Sequence, residues 1–123
     1  MVLGFTAAGL ALVMLATAGF AAGDAKVGQK TFALCAACHS SEKGKNKAGP
    51  SLFGIVGRKA ATAPGYVYSP ALERAGQQGV VWNEATLDRW LFDSKKVHGV
   101  IHVMRLADRK QRDDVIAYLK TLK

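Results

Sequence analysis

The chain has 123 residues, a length that suits one domain, and its 17 Lys and Arg residues outnumber 9 Asp and Glu to give a net charge of +8. A chain this basic is expected to bind acidic protein faces, nucleic acid or anionic membranes. Its basic residues are scattered, and no helix-turn-helix, zinc-finger or RNA-binding signature accompanies them. We therefore expect no nucleic-acid partner.

Residues 1–22, MVLGFTAAGLALVMLATAGFAA, form an apolar run without a charged side chain. Small-x-small sites at 16–18 and 19–21 predict a cleaved signal peptide, although no Lys or Arg precedes the run. An uncleaved membrane anchor is the alternative, because roughly 20 apolar residues are enough to span a bilayer. Both alternatives put the domain of residues 24–123 in the periplasm, either free or anchored to the outer face of the inner membrane.

The first predicted helix covers residues 25–38, with Asp24 as its N-cap. Its apolar residues near helical spacing are Val27, Phe32, Ala33 and Leu34. The following residues, 41–81, contain repeated Gly and Pro and lack a helical or alternating pattern. So long an irregular segment is unexpected in a compact domain unless something such as a buried cofactor organises it.

Three further helices are predicted, and no segment has the alternation of a strand. One covers 69–75 with Pro70 in its first turn, and another covers 84–92 with Asn83 as a possible cap. The last covers 109–122. The apolar stripes of the last two are Leu87, Trp90 and Leu91, and then Val115, Ile116, Leu119 and Leu122. The fold class is therefore all-α, with a few helices and long loops.

Cys35-Ala36-Ala37-Cys38-His39 is the sequence that carries chemistry. C-x-x-C-H is the attachment pattern of c-type haem. Thiols three residues apart at a helix end can reach the two vinyl groups of one porphyrin, and the next residue can direct its imidazole at the iron. We therefore expect one covalent haem c, bound through Cys35 and Cys38 with His39 as the proximal axial ligand.

Other uses of a C-x-x-C sequence fit this chain less well. Redox disulfides of this kind occur in a βαβ context, which the chain lacks. A zinc site would need further ligands, but no other cysteine exists and the remaining histidines are poorly spaced. A structural disulfide is possible in an exported protein, but the loop is tight and the adjacent His39 would be a coincidence.

Residues 27–122 resemble class I cytochromes c of the mitochondrial and bacterial c2 type, because the motifs follow one another in the family's order. Residues 47–58, KAGPSLFGIVGR, resemble the family's G-P-x-L-x-G-x-x-G-R run. Residues 63–69 resemble its A-P-G-aromatic-x-Y segment, and residues 114–119, DVIAYL, its terminal helix. The resemblance implies the cytochrome c fold, with about four to five short helices and long loops wrapped round one covalent haem.

The resemblance also implies roles for residues of the haem pocket. The carbonyl oxygen of Pro50 would accept a hydrogen bond from the ring of the proximal histidine and so fix the imidazole. Arg58, Tyr68 and Trp82 would surround the haem propionates or bind them by hydrogen bonds, since a buried charge needs partners. Trp90 stands where the family often has Tyr, so it would line the pocket and could donate through its indole N–H.

The sixth ligand of the iron is left open by residues 95–106, KKVHGVIHVMRL. The family usually has Met, in a P-G-T-K-M-like loop, which favours Met104. With His102 instead, the distances to the preceding glycine and to Tyr118 come close to the family's spacing, so the register favours His102. His98 is a third candidate, although it stands where the loop proline is expected. A Met ligand raises the reduction potential, whereas a second imidazole gives a lower one.

The predicted function is electron transfer by a single haem in a respiratory chain, without a substrate and without enzyme activity. We expect a monomer that meets acidic faces of reductase and oxidase partners through Lys43, Lys45, Lys47, Lys95 and Lys96. One alternative is a haem protein that binds a small ligand at an open sixth position. Another is a cytochrome subunit of a larger oxidoreductase, which would have the same chemistry and a permanent partner.

Overall fold

The computed structural model describes residues 23–123, together with residues 4, 9 and 11–13. The predicted signal peptide or anchor of residues 1–22 therefore lies outside the described residues, apart from those isolated positions. None of the helices in the described ranges has the length and apolar character that crossing a membrane requires.

Four α-helices follow one another along the described chain: α1 (Ala25–Thr31), α2 (Pro70–Gln77), α3 (Glu84–Phe92) and α4 (Arg109–Leu119). Single 3-10 turns cover Phe32–Leu34 and Ser94–Lys96. The only β-type pairing among residues 23–123 is an isolated bridge between Lys59 and Val81. The predicted all-α class is confirmed.

The first helix ends earlier than predicted. Its regular part stops at Thr31, because the amide of Cys35 bonds to the carbonyl of Phe32 at 2.8 Å and tightens the chain into a 3-10 turn. The apolar residues near helical spacing do not form one buried face. Phe32 is buried, whereas Val27 and Leu34 are 40% and 55% exposed.

The ends of α2 and α4 differ from prediction by two or three residues, whereas α3 ends at Phe92 as predicted. α2 continues past Ala75 to Gln77 before Gly79, at a φ of 89°, turns the chain. α4 ends at Leu119 rather than at residue 122, because the last amides bond three residues back in tight turns. The predicted N-cap of α3 is confirmed, because the side chain of Asn83 accepts a hydrogen bond from Thr86 N.

α1 and α4 cross in direct backbone contact. Gly28 is buried at the crossing, and a Cβ atom there would overlap the carbonyl group of Asp114. Beside it the rings of Phe32 and Tyr118 lie 5.2 Å apart. The buried carboxylate of Asp114 accepts from the amide of Asp24 at 2.8 Å, and this bond, followed by the one from Lys110, lowers the pKa of Asp114.

A buried arginine joins α4 to α3 and to the segment between them. Arg112 is 7% exposed, and its Nε lies 2.7 Å from the carboxylate of Asp88 in α3. Its Nη1 donates to the carbonyl oxygens of Leu106 and Ala107, at 3.0 and 2.9 Å. The charge is therefore paired and hydrogen-bonded, which is the condition for burying a guanidinium at acceptable cost.

Candidate functional site

The C-A-A-C-H sequence forms a tight turn directly after the first 3-10 turn. The amides of Cys38 and His39 both bond to the carbonyl of Cys35, at 3.1 and 2.9 Å. This turn holds both thiols and the imidazole on one short rigid segment. Cys35 is half-buried and Cys38 is exposed, and burial raises the pKa of the Cys35 thiol, so it stays protonated at neutral pH.

His39 is fixed from two sides. Its Nδ1 lies 2.7 Å from the carbonyl oxygen of Pro50, which can only accept. Nδ1 therefore carries the proton, and Nε2 keeps its lone pair for a metal. Gly49 is buried against the flat face of the ring, where a Cβ atom would lie 2.7 Å from Nδ1. Sequence analysis did not single out Gly49, although it precedes Pro50 in the family-like run.

A row of aromatic rings runs from the core to His39. The rings of Trp82 and Trp90 lie 5.0 Å apart, and those of Trp90 and His102 lie 5.2 Å apart. The centres of the His102 and His39 rings are 6.0 Å apart. Metal–nitrogen bonds of about 2 Å on each side, plus about 1 Å from each nitrogen to its ring centre, give about 6 Å. The spacing suits one metal ion between the two imidazoles.

The ring of His102 differs from that of His39 in its hydrogen bonding. Its Nδ1 accepts from the amide of Met104 at 3.3 Å, which leaves the proton of the neutral ring on Nε2. Metal binding through Nε2 would move that proton to Nδ1 and break this long contact. Burial of the ring is the main cause that lowers the pKa of His102. At neutral pH the ring is therefore in the neutral form that metals bind.

The two other candidates for the sixth position have different surroundings. Met104 is half-buried and packs against the hydrophobic core. His98 is exposed, with its backbone at a φ of 51°. Of the two histidine candidates, His102 is the one whose ring lies against that of His39.

Arg58, Tyr68 and Trp82 come together at another part of the pocket. Arg58 and Trp82 are paired through their backbones, with Trp82 N donating to Arg58 O at 2.9 Å. The guanidinium of Arg58 donates from Nη1 and Nη2 to two carbonyl groups, while its Nε is buried without a partner. The Tyr68 hydroxyl accepts from the amide of Ala63 at 2.9 Å. Burial lowers the pKa of Arg58, which interacts electrostatically with Tyr68.

These residues fit a haem with two carboxylate side chains. Two free thiols, two facing imidazoles and a half-buried guanidinium with an unused donor offer the attachment, axial and anion-binding groups that such a cofactor needs. A buried N–H without a partner costs stability, and a carboxylate oxygen would satisfy it. The tryptophans supply the apolar wall.

Comparisons with known proteins agree with this geometry. A model of the family described as Cytochrome c matches residues 25–123. The chain belongs to the cytochrome c family. A cytochrome c2 of Rhodopseudomonas palustris (strain ATCC BAA-98 / CGA009) is 41% identical to this cytochrome over 115 residues, which cover 81% of each chain. A cytochrome c2 iso-2 of Magnetospirillum molischianum is 47% identical over 95 residues, covering 75% of this chain and 94% of the relative.

A solved structure is also similar. The ferricytochrome c2 of Rhodopseudomonas palustris superposes with a TM-score of 0.75 at 39% identity, covering 81% of this chain and 99% of that one. This cytochrome therefore has the cytochrome c fold and carries one covalently attached haem c. It is a single-haem electron carrier that exchanges electrons with redox partners.

Sequence analysis missed one further residue beside the axial candidates. Ser94 is 5% exposed, and its Oγ accepts from the amide of His102 at 2.8 Å. Ser94 follows Asp93, the cap of the second 3-10 turn. Nothing in the surrounding sequence indicates that its hydroxyl would contact His102. Only the return of the chain eight residues later brings the amide to the hydroxyl.

Proposed function

We propose that this cytochrome is a periplasmic electron carrier in which His39 and His102 bind the haem iron from opposite sides. The observation that carries the proposal is the 6.0 Å between the two ring centres. Packing of Met104 against the hydrophobic core supports the same pair, because that side chain already has a structural role. With both axial positions filled by protein groups, the iron offers no open position to a substrate, which favours a carrier over an enzyme.

The protein's part in this function is to hold the cofactor and set its potential. When bound, the haem supplies the iron that alternates between the ferric and ferrous states. Cys35 and Cys38 attach it, the Pro50 carbonyl orients His39, and the free Nε–H of Arg58 would donate to a propionate. Two imidazoles favour ferric iron more than an imidazole and a thioether do, so a low reduction potential is expected.

The optical spectrum of the ferric protein tests the axial pair. We expect a low-spin spectrum without the weak red charge-transfer band of a sulfur–iron bond, and the same spectrum after Met104→Ala. His102→Ala should give a high-spin spectrum, because the sixth ligand is lost. His98→Ala is the matched control, since it removes another imidazole from the same loop.

Two results would contradict the pair. A charge-transfer band in the native protein that disappears in Met104→Ala would identify Met104 as the ligand. A high-spin native spectrum would show an open position and would support the small-ligand-binding alternative. As a further measurement, His102→Met should raise the reduction potential by a sizeable part of the roughly 0.8 V range that axial ligands span.

We further propose that partners approach with acidic faces. Lys43, Lys45, Lys47, Lys95 and Lys96 are all exposed, and the chain carries a net charge of +8. Such contacts are steered by charge and weaken as salt screens them. Oxidation of the ferrous protein by ferricyanide, a small anionic oxidant, should slow as ionic strength rises.

A charge reversal would localise this attraction. Lys95→Glu should lower the ferricyanide rate at low salt more than Lys26→Glu, which makes the same change at the start of α1. Equal effects of the two variants would mean that net charge alone governs the reaction. An increase of the rate with salt would reject the acidic-face proposal.

We also propose that the domain is exported as a monomer after cleavage of residues 1–22. Mass measurement of the protein from a periplasmic fraction should give a chain that begins shortly before α1, and its elution in gel filtration should match one copy. Recovery of the full chain in the membrane fraction would instead support the anchor.

A further inference from the structure

The segment that carries His102 is attached to the end of α3 at three points. We call residues 97–106 the ligand loop. Its end is held by Leu106 N, which donates to Leu91 O at 2.7 Å, and by Arg105 Nε, which donates to Phe92 O at 2.8 Å. The third point is the bond from the His102 amide to the Ser94 hydroxyl, at 2.8 Å.

Ser94 is itself held rigidly. It begins the 3-10 turn of Ser94–Lys96, whose cap Asp93 accepts from Lys95 N through its side chain at 3.1 Å. Asp93 N bonds to Arg89 O at 2.9 Å and so continues the hydrogen bonding of α3 into the turn. The Ser94 hydroxyl therefore has a fixed position relative to α3.

Few other contacts hold the middle of the ligand loop: Gly99 N donates to Lys95 O at 2.9 Å, and the ring of His102 lies against that of Trp90. Val97 and Val100 are buried and secure its first half. Ile101 and Val103, the neighbours of His102 on both sides, are 78% and 94% exposed, so they contribute almost no burial. The bond that the His102 amide donates to the Ser94 hydroxyl is thus the direct backbone anchor of His102 between two exposed residues.

We propose that Ser94 is a positioning residue that holds His102, rather than Met104, at the sixth coordination position of the iron. This proposal rests on the proposed function, in which His102 is that ligand. In the closed loop, loss of the hydroxyl leaves the partly buried amide of His102 without a partner. In an open loop, water satisfies the same amide, so removing the hydroxyl shifts the equilibrium toward opening.

Titration of the ferric holoprotein with imidazole tests the proposal. Imidazole can bind the iron only when His102 leaves, so its apparent affinity measures the fraction of open loop. Ser94→Ala should raise that affinity by about tenfold, the size expected from one buried hydrogen bond. Ser94→Thr keeps a hydroxyl and should stay close to the native affinity.

Thr86→Val is the matched control. Thr86 carries another buried hydroxyl and is 6% exposed, but it lies on α3, and its Oγ1 bonds to the side chain of Asn83 at the far end of that helix. We expect native imidazole affinity in this variant. If Thr86→Val raises the affinity as much as Ser94→Ala, general loss of stability explains the effect and the proposal is overturned.

His102→Ala separates failure of this proposal from failure of the proposed function. If its ferric spectrum becomes high-spin while Ser94→Ala keeps native imidazole affinity, His102 is the ligand and Ser94 does not position it. If its spectrum is unchanged, the axial pair itself is wrong, and the role of Ser94 is rejected with it. A sulfur–iron band that appears in Ser94→Ala but not in Ser94→Thr would show directly that the Ser94 hydroxyl decides whether His102 or Met104 binds the iron.

Discussion

The crossing of α1 with α4 and the ligand loop are stabilised in different ways. At the crossing, Gly28 lets the backbones touch, and buried Phe32, Val115 and Ile116 pack around the contact. In the ligand loop, exposed residues flank His102, and a few hydrogen bonds to the end of α3 hold the segment. Burial dominates the first region and hydrogen bonding the second. Changes at the crossing should therefore lower stability, whereas changes in the loop should alter the sixth position of the iron.

The largest effect on stability is expected from Gly28→Val. Any Cβ atom at this position overlaps the carbonyl group of Asp114, and backbone cannot move aside as a flexible side chain can. We expect a loss of about 3 kcal/mol or more in the free energy of unfolding, measured by urea denaturation. Gln29→Val, at an exposed neighbouring position, should cost well under 1 kcal/mol.

The spectrum of Gly28→Val sharpens the comparison. The folded fraction should keep the native low-spin spectrum, because the crossing contributes no axial ligand. A change of ligation in folded Gly28→Val would show that the two regions are coupled and would break the distinction between them.

Arg112→Met should affect both regions, because Arg112 bonds to Asp88 in α3 and to carbonyl groups at the end of the ligand loop. The variant leaves the Asp88 carboxylate and two carbonyl oxygens without their partner, for an expected loss of about 3 kcal/mol. It should also raise the affinity for added imidazole, since Leu106 loses an anchor. Arg74→Met, an exposed arginine of α2, should change neither measurement.

Asp114→Asn should give a smaller loss that depends on pH. The amide of Asp24 and then Lys110 hold the pKa of Asp114 below its usual value. The stability from its ionised form is present above the unfolded pKa of about 4 and is lost as pH falls through the lower folded value. In urea denaturation, the native protein should exceed Asp114→Asn in stability at pH 7, and the difference should shrink below about pH 4.

The neighbouring Asp113, whose side chain is 11% exposed, is the control for this carboxylate. Asp113→Asn should show a smaller difference at pH 7, because its partner Arg109 is exposed and lies 3.5 Å away. A difference in Asp114→Asn that persists unchanged at pH 3 would mean that packing, and not charge, explains the loss.

The smallest effect on stability is expected from His98→Gly, and this variant should be more stable than the native protein rather than less. His98 has a φ of 51°, in the left-handed region that costs a side-chain-bearing residue energy, and its side chain is exposed. Glycine removes that strain but adds freedom to the unfolded chain, so we expect a net gain of about 0.5 kcal/mol. His98→Ala keeps the strain and should show no gain, and neither variant should alter the ferric spectrum.

Sequence reasoning succeeded where a signal is local. The C-A-A-C-H sequence predicts covalent haem without any fold, and Asp24 and Asn83 mark helix starts because their side chains cap the amides that follow. The prediction was less accurate at helix ends. The segment after Thr31 tightens into a 3-10 turn that leads directly to Cys35, and no residue type in that segment predicts the change.

In α1, the spacing of apolar residues alone does not separate the buried side chains from the exposed ones. Val27 and Phe32 both suit an inward face by type, yet Val27 is exposed and Phe32 packs on Tyr118. The direction of that face follows from the close approach at Gly28, which depends on α4, some 90 residues later in the chain.

The sequence by itself determined the haem class and the all-α character and predicts His39 as the proximal ligand, because each depends on neighbouring residues whose spacing is set by the chain. It left His102 and Met104 as rivals, since both side chains can ligate iron and they are two residues apart. Only the tertiary structure shows their different surroundings, because the ring of His102 lies 6.0 Å from that of His39 while Met104 packs against the hydrophobic core. The amide of His102 donates a hydrogen bond to the Ser94 hydroxyl, and such a bond between residues apart in sequence forms only once the chain has folded.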